Sequence, residues 1–166
     1  MNLLVMLFSL LIGAIAQALL PAWSWLGLAK APILLGIAIY YASTRERYQM
    51  LWAAVLAGVL QDALGMIPFG YSSCCFCLVG LAVNRFRTSV FMFRGITHFI
   101  VGGLASGLVT SVLAVLLWKN RLIDFTLAWT LQKIVGAIVL GAVFVPVVFR
   151  LVEELDIQLG ILEESM

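Results

Sequence analysis

Cys74, Cys75 and Cys77 place a C-x-x-C spacing in the chain, the arrangement that lets two thiols exchange with a disulfide. A membrane disulfide oxidase needs a second cysteine pair to exchange with, and these are the only cysteines in 166 residues. With no histidine nearby they make poor metal ligands, so they read as small, polarisable packing residues. His98, the only histidine, follows Arg94 by four residues. Without a catalytic partner or a metal cluster it reads as an interfacial or hydrogen-bonded structural residue. Ser72, Ser106 and Thr110 have no base in a recognisable motif, and neither a phosphate-binding glycine loop nor paired catalytic carboxylates occur. A non-enzyme is expected, with no cofactor, no metal and no nucleic-acid partner.

The remaining chemistry lies with Asp62 and Lys133, two ionisable residues inside apolar sequence. Such residues are costly in a bilayer, about 2.5–3.5 kcal/mol by insertion scales, and have a partner or a task. A third helix that runs outward ends just beyond Asp62. Lys133 then lies roughly 12 Å into the sixth helix at 1.5 Å per residue, and its side chain can snorkel back over much of that distance. An ion pair would offset part of the cost of both. Alternatively both head groups reach interfacial water, or they form an outer-leaflet polar site that contacts a partner or lines a ligand pocket.

The elements that position these residues are apolar all round. The chain is 64% hydrophobic and 11% charged, with a mean hydropathy of +1.13, too little charge for a solvated surface. Segments of this kind are solvated by lipid and satisfy their backbone internally. The runs do not alternate as barrel strands would. The expected fold is an all-α polytopic membrane protein, a bundle of about six transmembrane helices. They run roughly over Leu3–Leu20, Ala31–Ala42, Tyr48–Ala63, Tyr71–Val83, Gly95–Trp118 and Phe125–Phe149. The second, third and fourth are short for a crossing of roughly 20 residues. They borrow flanking residues, with Trp23–Leu28 and Met66–Phe69 at or within the membrane; five helices and a re-entrant segment is the alternative. No Lys or Arg precedes the first apolar run, which reads as an uncleaved transmembrane helix.

Arg45, Arg47, Arg85, Arg87, Arg94 and Arg150 follow the even-numbered helices, against Lys30, Lys119 and Arg121 on the other side. The positive-inside rule therefore places both termini in the cytoplasm. Trp23, Trp25, Trp118 and Trp129 fall beside the outer loops, as an interfacial tryptophan belt would. Residues 1–150 form the transmembrane domain, and 151–166 an acidic cytoplasmic tail. In the tail Leu151, Leu155, Leu159 and Leu162 recur at helical spacing opposite Glu153, Glu154 and Asp156. It is either a solvated continuation of the sixth helix or a contact for a cytoplasmic protein.

Small residues mark close helix approach. Gly103 and Gly107 make a small-xxx-small pair in the fifth helix, beside Gly102, Ser106 and Thr110; Ala14 and Ala18 make a weaker pair in the first. Internal packing or docking of a second protein would each account for such faces.

One arrangement points to a family. Gly58-x-x-x-Asp62, then Pro68-Phe69-Gly70, then a helix ending near Leu78-Val79-Gly80 and Arg85, together with the run Pro32–Ala42, resembles the rod shape-determining MreD family over residues 31–94. The resemblance implies a bacterial inner-membrane scaffold of the cell-elongation machinery, organising peptidoglycan synthesis and cell shape. Proteins of that family associate with MreC, and through it with RodA, its transpeptidase partner and MreB. Their fold is similar to that of substrate-binding subunits of energy-coupling-factor vitamin transporters, and no cofactor or catalytic residue is implied. The candidate contact residues are Gly58, Asp62, Pro68, Gly70, Gly103, Gly107 and Lys133, with the transmembrane helix of MreC held on the small face of helix five and the Gly58–Asp62 edge. The alternative is a vitamin-transporter substrate-binding subunit, with Ala14 and Ala18 docking a coupling subunit and a ligand pocket near Asp62 and Lys133.

Overall fold

The computed structural model describes residues 3–21, 29–65, 68–90, 96–119 and 127–158. Trp23, Trp25, Met66, Ile67, Arg94, Arg121 and the chain beyond Gln158 lie outside the described residues. The described chain is all-α: α1 (Leu3–Leu19), α2 (Ile33–Thr44), α3 (Arg47–Gly65), α4 (Tyr71–Val90), α5 (Ile96–Lys119) and α6 (Leu127–Gln158).

The shortest helix organises the rest. Every residue of α2 from Ile33 to Ala42 is buried, so it is a core helix apolar on all sides. It packs against α1, α3, α4 and α6, while α5 lies against α6 and α4. Its 12 residues span about 18 Å, well short of a bilayer core of about 30 Å. Its first turn is buried and its last residue, Thr44, is exposed, and the backbone groups freed at each end need partners from outside the helix.

The outer helices present large apolar side chains outward: Phe8 and Leu11 on α1, Trp52 on α3, Leu78 on α4, Leu104 and Leu108 on α5, Val143 and Val147 on α6. Water-soluble monomers rarely expose apolar patches of more than a few hundred Å². Two helices, Thr97–Lys119 and Ala128–Gln158, are long and apolar enough to cross a membrane.

Two helices outrun the sequence reading. α4 continues seven residues past Val83, carrying Arg85 and Arg87 on its final turns. α6 continues past Phe149 and Arg150 to Gln158, so no structural break separates the acidic segment from the helix. Arg and Glu are good helix formers, and a charge ends an apolar run without ending a helix.

Candidate functional site

The stretch Gly58 to Gly70 forms a single interlocked corner between α3 and α4. Cys74 N–H donates to the Gly70 carbonyl at 3.0 Å, which makes Gly70 the N-cap of α4. A glycine cap has no side chain to satisfy the free N–H groups of the first turn. Asp62, on the preceding helix, supplies the acceptors. Its two oxygens take the N–H of Gly70 at 2.7 Å and the N–H of Ser72 at 3.0 Å. The carboxylate is wholly buried, at 0% exposure, and sits at the positive end of the α4 dipole.

Two glycines make the corner possible. Gly58 is where the α4 backbone comes closest, and a methyl group there would overlap Cα and N of Ser73. Ser73 Oγ donates to the Val55 carbonyl at 3.2 Å along the same seam. Gly70 sits at φ +102°, a conformation L side chains rarely adopt, with open space around it. Pro68 and Phe69 are exposed on the outside of the turn.

This geometry does not join Asp62 to Lys133. The carboxylate is committed to α4, and Lys133 Nζ lies over the Trp129 ring, 5.4 Å from its centroid. The ion-pair alternative is not formed, because Asp62 faces α4 while Lys133 lines a cavity with α5 and the start of α2.

The small face of α5 is likewise committed. A side chain at Gly107 would meet Ile138, one at Gly103 the Ile138 carbonyl at 3.3 Å, and one at Gly102 the Gly141 carbonyl at 2.6 Å, all on α6. That face is the α5–α6 seam, so a partner's helix would have to displace α6 to reach Gly103 or Gly107. The Ala14–Ala18 pair does not form one outward face either, since Ala14 is buried and Ala18 exposed.

Gln17 and Asn84, neither singled out from the sequence, hold the two ends of α2. Gln17 of α1 accepts from Leu34 N–H at 3.1 Å in the first turn of α2, and its amide donates to Gln61 Oε1 on α3 at 2.6 Å. At the opposite end Asn84 of α4 donates to the carbonyls of Ala42 at 2.9 Å and Arg45 at 3.3 Å. There Asp156 Oδ2 accepts from Tyr40 Oη and from Arg45 Nη2, each at 2.9 Å. Asp156 is 1% exposed, so the solvated face expected for it is the packed one. Val145, Val148, Val152 and Asp156 form the buried stripe, while Leu151 is exposed. The available signals were an amide alone in the apolar run of α1, and the tyrosine pair and arginine at the end of α2.

Two cavities accompany these ends. One, of about 700 Å³, is lined by Ser43, Thr44, His98, Arg150 and Glu153, with the His98 ring 4.2 Å from that of Phe149. The other, of about 470 Å³, is lined by all six helices and includes Gln17, Lys30, Gln61, Thr110, Trp129 and Lys133. Cys75 packs in the core and Cys74 is exposed. Among the described residues no three of His, Cys, Asp and Glu gather as a metal site. Compared with known proteins, the chain has no significant match to any protein-family model, curated protein or solved structure.

Proposed function

We propose that the chain is a multi-pass inner-membrane scaffold of the MreD kind, which binds MreC and through it helps organise RodA, its transpeptidase partner and MreB in cell elongation. The observation that carries this reading is how the rare polar side chains are used. Asp62, Gln17, Asn84 and Asp156 each fasten one helix to another, leaving outer faces of apolar side chains. A chain built this way recognises neighbours by shape within lipid, where close packing replaces the hydrophobic effect as the source of specificity. The Gly58–Asp62–Gly70 arrangement behind the family resemblance serves that rigidity. In this reading all six helices lie in the bilayer, with α2 shielded from lipid by its neighbours, and both termini are cytoplasmic.

Because α6 occupies the small face of α5, the reading assigns MreC's helix to the trough between α4 and α5. It is lined by Leu78, Val79, Ala82, Leu104 and Leu108 and has a volume of about 460 Å³. The test is co-purification with MreC from the same genome. Wild-type protein is expected to retain MreC through detergent extraction, and filling the trough with Leu78→Trp and Leu108→Trp to lower its recovery severalfold. Leu11→Trp on the exposed face of α1 is the control. Failure of the wild type to retain MreC refutes the scaffold; equal recovery by folded trough variants refutes the trough.

A further inference from the structure

The 470 Å³ cavity falls within the ~300–1,000 Å³ range of small-molecule sites. Its wall is mostly apolar, from Leu64 and Phe76 to Leu113 and Ile134, yet it includes two lysines. Among the described residues no Asp or Glu lines it, and Asp62, one residue along from Gln61, is held by Gly70 and Ser72. Lys133 is partly buried, and its ammonium rests on the Trp129 ring. An ionisable side chain at this depth that faces a cavity marks a ligand or ion path more often than it serves packing.

The hydrogen bonds around the cavity set the sign of what fits. Gln17 has its oxygen on Leu34 N–H and its amide on Gln61 Oε1. Gln61 therefore has its oxygen engaged and its NH₂ group left to donate. With Lys30 at the exposed rim, Lys133 deeper, and the Thr110 and Thr130 hydroxyls on the wall, donors outnumber acceptors. We propose that this cavity binds an amphiphilic organic anion, its phosphate or carboxylate head at Lys133 and Gln61 and its apolar body against α5 and α6. The inference goes beyond the scaffold reading and does not depend on it.

Anionic lipid and a water-soluble anion share this head-group chemistry, and the experiment separates them. Delipidated full-length protein in neutral detergent is titrated with short-chain phosphatidic acid, short-chain phosphatidylcholine, glycerol 3-phosphate and inorganic phosphate, reading thermal stability and affinity. Stabilisation by phosphatidic acid but not phosphatidylcholine supports a lipid ligand. Stabilisation by glycerol 3-phosphate as well supports a soluble one. Lys133→Met is expected to lower affinity tenfold or more, Lys133→Arg to retain most of it, and Lys119→Met to leave it unchanged. If Lys133→Met does not fold, Thr110→Val and Gln61→Leu on the same wall report instead, with a severalfold loss expected. Equal response to the zwitterionic lipid, no response to any probe, or full affinity in the wall variants overturns the proposal. Asp124 lies outside the described residues; a thermodynamic coupling between Asp124→Asn and Lys133→Met would make the lysine half of an internal ion pair, and would overturn the proposal too.

Discussion

Replacing Asp62 with Ala removes the acceptor for two N–H groups at the start of α4. The Ser72 bond is buried, and leaving its N–H without a partner costs about 1–3 kcal/mol. Gly70 is exposed enough for water to replace part of its bond, so we assign it about 1 kcal/mol. Loss of negative charge at the helix N-terminus adds roughly 0.3–1 kcal/mol. The expected total is about 3–4 kcal/mol, which lowers the melting temperature of a chain this size by about 10 °C. Asp62→Asn keeps one acceptor and should lose about half as much. Circular dichroism during thermal unfolding in detergent, supported by SDS titration, measures both. Lys133→Met supplies the decisive comparison. If Asp62 serves α4 alone, the Asp62→Asn and Lys133→Met losses add to within about 0.5 kcal/mol. A loss below about 1 kcal/mol for Asp62→Ala, or a coupling above that figure with Lys133→Met, refutes the capping role.

Asp156→Ala should cost about 3 kcal/mol, the low end for breaking a buried pair because Arg45 is 15% exposed. Hydrogen exchange should show residues 150–158 fraying in this variant, with Tyr40→Phe weaker at about 1 kcal/mol. Gly58→Ala should destabilise by about 1–3 kcal/mol as α3 and α4 part, and Ser73→Gly should not rescue it, because the collision is with backbone. Gly70→Ala has room but the wrong φ, and should cost about 1–2 kcal/mol in the same thermal assay.

The helices are legible because they are long apolar runs, bounded by charge and proline, that do not alternate as strands would. The predicted starts at Leu3 and Tyr71 coincide with the observed ones, and α3 and α5 begin within a residue of Tyr48 and Gly95. The ends of α4 and α6 were not legible, because Arg85 and Arg150 end the hydropathy without disturbing the backbone ladder. The burial of Asp156 was hidden for another reason. The leucine spacing in the tail marks a local face, whereas the face actually packed is chosen by Arg45, 111 residues away in sequence. Gly103 and Gly107 were read correctly as a place of close approach, but their neighbour is α6, and small residues do not name their partner.

One rule accounts for Gln17, Asn84 and Asp62, three polar side chains held inside the bundle. A short helix packed among others leaves backbone groups free at its ends, and each such end needs an acceptor or donor from outside the helix. α2 is that helix, and Gln17 and Asn84 answer its two ends. The start of α4 is a second such end, and Asp62 answers it. Lys133 has no such role among the contacts described: it is partly buried, lies over the Trp129 ring and lines a cavity. Its partial burial costs stability, and the Trp129 ring compensates only in part, since a cation–π contact contributes about 0.5–2 kcal/mol. A partly buried lysine facing a cavity that no Asp or Glu lines among the described residues is the strongest physical reason to look for a ligand there.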